Sequence, residues 1–305
     1  MPRHLRPPIT NLAFLLLLLV VPAIFAQNDL VSADPDDAEK QSLFARVIAN
    51  QKKVEEALDV YERLERIEMR KNSHDAKPFS EKIFRVIPAG TGVDRIPVRS
   101  DGQPIDAAAF RSELQKLERQ LAWAAESGRA QSEAYAKIQK KRKDREELIN
   151  AANQAFIFTF IAREPRGNRI LAKYRMEPNP AFKPTNRTTA VYTKVRGFVW
   201  VDEAAGQLAR IQGETTEDIS LGIFLARVNK GSYFMQERYE LFPGCWLPTF
   251  SQYDFDGRKL FMNFSIHERT FYTHYRYIGP PREAFATIQK EERAIAAPPA
   301  RSAHH

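Results

Sequence analysis

Residues 195–216, VRGFVWVDEAAGQLARIQGETT, contain the pattern that decides the fold. The part before Asp202 is rich in β-branched and aromatic residues, which favour a strand, and the part from Gln207 is again strand-like. Residues 202–206 between them are a short turn that ends in Gly206. Strands with so short a connection pair as antiparallel neighbours. The segment therefore predicts two adjacent antiparallel strands.

Similar strand-like runs recur on both sides of this pair. Turn residues separate them, for example Asp101 with Gly102 and Asp256 with Gly257. Short connections favour pairing between successive strands, so the runs predict a long antiparallel meander. A sheet of this length tends to curl or to split into two. The predicted strands are residues 82–87, 93–98, 156–161, 169–176, 191–201, 207–216, 223–228, 233–242, 246–255 and 259–277.

A helix precedes the first strand. Asp34 is a suitable N-cap with Pro35 in the first turn, and apolar residues recur at helical spacing from Leu43 to Tyr61. Residues 61–69 are ambiguous, because they fit either the end of this helix or a strand of alternating charge. A sheet with one apolar face needs a covering element, and the helix can supply it.

Residues 106–152 have a helical pattern that interrupts the strands. Two helices are indicated, separated at Ser127 and Gly128, and we expect them to form a helical hairpin inserted into the domain. A basic cluster on the second helix has two interpretations: a contact with a membrane surface or an envelope protein partner, or an ordinary solvated helix face. The cluster consists of Lys137, Lys140, Lys141, Arg142, Lys143 and Arg145.

The N-terminus has the three parts of a secretory signal peptide. Arg3 and Arg6 precede an uncharged apolar run over residues 12–21, and the small residue Ala26 follows. The apolar run is shorter than the roughly 20 residues that a membrane-spanning helix needs. We therefore expect cleavage after residues 1–26 and a periplasmic protein. The mature chain is then a single domain over residues 27–283, followed by a Pro- and Ala-rich tail over residues 284–305 that we expect to be disordered.

Composition narrows the classes of function. The net charge of +8 is dispersed, whereas nucleic-acid binding requires a clustered basic patch. We therefore expect no nucleic-acid partner. A peripheral contact with a membrane remains an alternative. The single cysteine, Cys245, cannot form an internal disulfide, and its apolar surroundings predict a small core residue.

The sequence contains no convincing catalytic or metal-binding motif. His267 and Glu268 lack the second histidine of a helical zinc motif, and they fall in a strand pattern. Asp254 and Asp256 resemble the start of a calcium loop, but the remaining ligands are missing. We therefore expect neither an enzyme nor a bound cofactor or metal.

The order of elements resembles that of the lipoprotein-localisation (Lol) carrier and receptor family of bacterial envelope proteins. The similarity rests on the opening helix at residues 43–61, the strand GFVWVD at residues 197–202, and the following strand QLARI at residues 207–211. It implies an α+β fold in which a curved antiparallel β-sheet, an incomplete barrel, is covered by an N-terminal helix. It also implies a cavity between helix and sheet that holds acyl chains, and a role in lipoprotein sorting and transport.

Under this hypothesis the protein is a periplasmic lipid- or lipoprotein-binding carrier. The alternative is a non-enzymatic envelope interaction protein, such as a sensor or assembly factor, in which the same aromatic residues fill the core. Bulky residues that share a strand face are the candidates for lipid contact. They are Phe156, Phe158 and Phe160 on one strand, Phe198 and Trp200 on a second, and Met262, Phe264 and Ile266 on the last.

Overall fold

The computed structural model describes residues 35–89, 92–126, 128–186, 188–221, 226–259 and 262–296. The predicted signal peptide at residues 1–26 and the end of the predicted tail, residues 297–305, lie outside these ranges.

The described residues form helices and a large antiparallel sheet. The α-helices are α1 (Asp37–Ala57), α2 (Ala107–Glu126), α3 (Gly128–Ala155) and α4 (Pro281–Ala296), and a 3-10 helix spans Thr189–Lys194. The strands are β1 (Tyr61–Arg70), β2 (Ser80–Pro88), β3 (Val93–Ser100), β4 (Gln103–Pro104), β5 (Phe156–Arg166), β6 (Arg169–Pro178), β7 (Val195–Asp202), β8 (Gln207–Thr215), β9 (Ile219–Leu221), β10 (Ala226–Val228), β11 (Tyr233–Phe242), β12 (Cys245–Lys259) and β13 (Met262–Tyr277).

The sheet has free ends and is not closed into a barrel. Its strand order is β4-β3-β2-β1-β13-β12-β11-β8-β7-β6-β5. Off this path, β10 pairs with β12, and β9 pairs with β10. Pairs such as β7 with β8 and β11 with β12 are antiparallel, as their short connections predict. The predicted α+β class with an unclosed antiparallel sheet is confirmed.

The chain divides into two compact units, where we expected one domain over residues 27–283. The first unit comprises the described residues up to Glu55 together with Ile67–Ser80 and Asp144–Tyr272. The second comprises Glu56–Arg66, Glu81–Lys143 and the described residues from Thr273 onward.

In the first unit, α1 packs on the sheet. Leu43, Phe44 and Val47 are buried in one cluster with residues of β5 to β8, because their spacing places them on one helical face. Polar bonds fix the same helix to the turn after β7. The Asn50 side chain donates to the carbonyl oxygens of Ala205 and Gly206 at 3.2 and 2.9 Å. The expected cover of the sheet by the N-terminal helix is therefore present within this unit.

The second unit has its own core, and α2 and α4 build it. Leu114, Leu117 and Leu121 of α2 are buried against Ala284 and Ile288 of α4, with Ile87, Ile96 and Ile278 completing the cluster.

Two expectations need correction here. Residues 284–296 are helical rather than disordered, because Ala284 and Ile288 lie one helical turn apart and bury a shared face. The helices of residues 106–152 are also more than a surface insertion. Besides the leucines of α2 in the second unit, Leu148, Ala151 and Ala152 of α3 pack against the core of the first unit.

Some strand boundaries also differ from the expected ones. The ambiguous residues 61–69 belong to β1, and residues 191–194 form part of the 3-10 helix rather than of a strand. Asp256 and Gly257 do not form a turn but lie inside β12. The absence of a side chain at Gly257 lets the ring of Phe264 and the carbonyl oxygen of Arg227 approach its backbone closely.

Candidate functional site

An apolar cavity of about 170 Å³ lies in the first unit, between α1, the last turns of α3 and the inner face of the sheet. Each of these elements contributes apolar side chains. Its apolar lining consists of Phe44, Val47, Ile48, Leu148, Ile149, Ala152, Phe156, Phe158, Met176, Tyr192, Val199, Leu208 and Ile211.

Aromatic rings form one wall of the cavity. The Phe44 and Phe158 rings stack with centroids 4.1 Å apart, and Phe156 lies 5.4 Å from the ring of Tyr192. The Tyr192 hydroxyl donates to the carbonyl oxygen of Leu148 at 3.3 Å. Burial raises the pKa of Tyr192 well above its usual value, so this hydroxyl stays protonated at neutral pH. The wall is therefore uncharged.

Polar groups converge elsewhere on the cavity lining: Gln51, Glu55, Arg145, Asn153 and Arg238. Arg145 Nη1 donates to the Glu55 carbonyl oxygen at 3.0 Å and lies 3.4 Å from Glu55 Oε2. The largely buried Arg238 donates to Gln236 Oε1 and to Gln51 Oε1. Two guanidinium groups and one carboxylate therefore face or border the cavity, which gives its lining a net charge of +1.

Of the three lipid contacts predicted on β5, two line the cavity and one lies in the core. Phe156 and Phe158 line the cavity. Phe160 is not among the lining residues; it is partly buried against the core, with its ring 5.7 Å from that of Tyr174 and the Arg163 guanidinium over its face.

Phe198 and Trp200 do not line the cavity, whereas Val199 between them does. Successive side chains of a strand point to opposite faces, so the face chosen from the sequence is the wrong one for this cavity. Trp200 is buried with Leu171, Ala209 and Trp246 in a separate cluster. Its indole Nε1 donates to Glu164 Oε2 at 2.6 Å.

The candidates on the last strand also lie away from the cavity lining. Met262 is 70% exposed. Phe264 and Ile266 are partly buried and pack against the core of the first unit.

The contributions of α3 and β11 to the cavity were not predicted from the sequence. Arg145 was assigned to a basic cluster, but it is largely buried and bonded to Glu55, while Lys137, Lys140, Arg142 and Lys143 are exposed. The apolar spacing of Leu148, Ile149 and Ala152 in the sequence is the signal that indicates a buried face here. No local pattern marks Arg238, because its partner Gln51 lies 187 residues away.

The described ranges contain no group of three or more His, Cys, Asp or Glu side chains that is arranged to hold a metal ion. His267 Nδ1 lies 3.1 Å from Asp254 Oδ1, as a pair across β12 and β13. The Cys245 thiol is half-buried, and burial raises its pKa, which disfavours the reactive thiolate. Within the same ranges, no helix has the length and hydropathy that crossing a membrane requires.

A scan against protein-family models finds no match to this chain, and neither does a search of curated proteins or of solved structures.

Proposed function

We propose that the first unit binds the acyl chain of a lipid or lipoprotein in its apolar cavity, and that the protein is a carrier in the bacterial periplasm. The observation that supports this most is the cavity itself. Apolar and aromatic side chains of α1, α3, the 3-10 helix and four strands converge on it, while hydrogen bonds link the polar groups of Gln51, Glu55, Arg145 and Arg238. An apolar pocket with a small number of polar groups is typical of a small-molecule site.

The size of the cavity suits part of a chain rather than a whole lipid. A dry apolar cavity of about 150 Å³ accommodates a benzene molecule, so the slightly larger space here holds roughly six to eight carbon atoms. A longer chain would extend through the mouth or displace α1. Burial of each methylene contributes about 0.8 kcal/mol, so even six carbons provide substantial binding without a specific polar contact.

Two features of the sequence also support the proposal. The signal-peptide pattern at residues 1–26 is consistent with export, and the opening helix and the strand at residues 197–202 resemble the Lol carriers. A carrier in that compartment meets lipids and lipoproteins on both neighbouring membranes.

A cavity-filling substitution provides the direct test. Ala152 lines the cavity, whereas its neighbour Ala151 packs against the same core without lining it. We expect Ala152→Leu to weaken binding of a fluorescent fatty acid about tenfold or more, because the added carbons occupy the ligand's space. Ala151→Leu is the matched control and should bind as the unchanged protein does.

Thermal unfolding of both variants separates loss of binding from loss of structure. A folded Ala152→Leu variant with undiminished binding would place the ligand elsewhere, and an unchanged protein that binds no lipid would reject the carrier proposal.

The second candidate function is that of an envelope interaction protein without a small ligand. It is favoured by Trp123 of α2 and Tyr135 of α3, two large side chains of the second unit that are 54% and 64% exposed. Trp123→Ser with Tyr135→Ser should abolish capture of an envelope partner if this candidate is correct. The carrier proposal instead expects unchanged lipid binding in that variant.

A further inference from the structure

The polar part of the cavity lining carries more positive than negative charge. Arg145 and Arg238 contribute two guanidinium groups, and Glu55 contributes one carboxylate. Gln51 and Asn153 are the other polar residues, and both are neutral. A ligand that places an anionic group here complements the net charge of +1.

The sheet and α1 hold Arg238 in place. It lies on β11 with a largely buried side chain, and its Nε and Nη2 donate to Gln236 Oε1 at 2.9 and 2.7 Å. Its Nη1 donates to Gln51 of α1. These two amide groups orient the guanidinium. A preorganised guanidinium is well suited to binding a carboxylate or phosphate.

Arg145 is held differently, because it is bonded to Glu55, whose carboxylate would compete with a bound anion for the guanidinium. Its Nη1 contacts both the carbonyl oxygen and the carboxylate of Glu55. A bound anion beside Arg145 would therefore be repelled by the Glu55 carboxylate. Removal of that carboxylate should strengthen the binding of an anion and leave a neutral ligand unaffected.

We infer that the ligand is a single-chain amphiphile with an anionic head group, whose chain enters the apolar part and whose carboxylate or phosphate lies beside Arg145 and Arg238. This inference rests on the proposed function, because it specifies the ligand of the same cavity. The volume sets the length of chain inside at roughly six to eight carbons.

Ligand series test the head group and the chain separately. Calorimetry below the micelle concentration would compare alkyl carboxylates, alkyl phosphates and primary alcohols of six to twelve carbons. We expect each anion to bind about tenfold more tightly than the alcohol of the same length, as charge-assisted hydrogen bonds imply. The two anionic series distinguish a fatty acid from a phosphate head group. Affinity should rise about fourfold per methylene and level off near eight carbons.

Three charge variants test the assigned residues. Glu55→Gln should raise the affinity for anions severalfold, and Arg145→Gln should lower it about tenfold, with alcohol binding unchanged in both. Arg142→Gln removes an exposed arginine from the same helix and is the control. Unfolding cannot raise the affinity for anions, so a higher affinity in Glu55→Gln would come from the lost carboxylate. Retained alcohol binding in each variant would show that the cavity is intact.

Equal binding of alcohols and anions would overturn this inference and leave the carrier proposal standing. No binding of any series to the unchanged protein would reject both. Unchanged anion affinity in Glu55→Gln and Arg145→Gln would also overturn the assignment of the head group to this position.

Discussion

Phe44 of α1 stacks on Phe158 of β5, with ring centroids 4.1 Å apart and planes inclined by 18°. Phe44 also meets Tyr174 edge-on at 5.1 Å, so one side chain of the helix contacts two neighbouring strands. Offset stacked and edge-to-face pairs of this kind contribute more than their buried area alone. This contact is therefore central both to the attachment of α1 and to the wall of the cavity.

The first prediction is that Phe44→Ala lowers the free energy of unfolding by about 3–5 kcal/mol, because it removes a buried ring and leaves a cavity. Urea unfolding measures this. Phe79→Ala removes an exposed ring of the same unit and should change stability by less than about 0.5 kcal/mol. Similar values for the two variants would contradict the packing of α1 described here.

A second prediction concerns α4, the helix found where a disordered tail was expected. Ile288 is fully buried and Ile295 is 44% exposed, although both lie on this helix. Ile288→Ala should cost about 2–5 kcal/mol, whereas Ile295→Ala should have little effect. Thermal unfolding of both variants tests this. If the segment were disordered, the two substitutions would be equally harmless.

Four charged groups form a closed ring in the second unit. Arg85 Nη2 lies 2.7 Å from both Glu62 Oε2 and Glu291 Oε2, and Arg276 lies 2.5 Å from the other oxygen of each carboxylate. Burial raises the pKa of Glu291, but the hydrogen bond from Arg276 and the charge of Arg85 outweigh it. The pKa of Glu291 in the folded protein is therefore below 4.5, its ordinary value.

The third prediction follows from the direction of this shift. A carboxylate with a lowered folded pKa stabilises the fold above its unfolded pKa, and this contribution is lost as the pH falls through the folded pKa. Glu291→Gln should therefore destabilise the protein at pH 6, and the difference from the unchanged protein should shrink below about pH 4.5. Urea unfolding at several pH values measures this difference in the free energy of unfolding.

Glu133→Gln is the control for this prediction. Glu133 forms an exposed pair with Arg129, so its substitution should change the stability little. A pH-independent difference would show that Glu291 does not act through its charge.

The fourth prediction is that Gly257→Ala is strongly destabilising. A β-carbon at this position would lie 2.6 Å from the Phe264 ring and nearer still to the carbonyl oxygen of Arg227. Because a backbone atom cannot move aside as a side chain can, we expect a loss of about 1–3 kcal/mol. Gly128→Ala, where no atom lies within 4 Å, is the control and should be neutral or slightly stabilising in the unfolding experiment. A neutral Gly257→Ala would contradict the close approach of Arg227 and Phe264 to this backbone.

Local patterns predicted much of the secondary structure. The strand runs, the short turns and the apolar spacing of α1 each depend on neighbours in sequence, so they are visible without tertiary contacts. The 3-10 helix at Thr189–Lys194 and the strand continuing through Gly257 were missed. At Gly257 the local turn preference competed with close contacts made by Arg227 and Phe264, which lie on other strands.

The candidate site was only partly predictable, and β7 shows why. Alternation along a strand identifies two faces but does not say which face meets the covering helix. Phe198, Val199 and Trp200 pair in regular register with β8, so alternation alone gives no preference between the two faces. Phe198 and Trp200 were chosen because they are bulky, while Val199 is the residue of this strand that lines the cavity.

The sequence by itself determined the α+β class, the antiparallel order of neighbouring strands and the amphipathic opening helix, because these depend on periodicity and on short connections. Residues 281–296 carry an amphipathic helical pattern of their own, but only the tertiary structure decided that the face with Ala284 and Ile288 packs on α2. It also decided the polar part of the cavity. Arg145 and Glu55 are 90 residues apart, and Arg238 and Gln51 are 187 apart. Residues so far apart in the sequence come together only when the chain folds. Local sequence patterns therefore do not reveal these pairs.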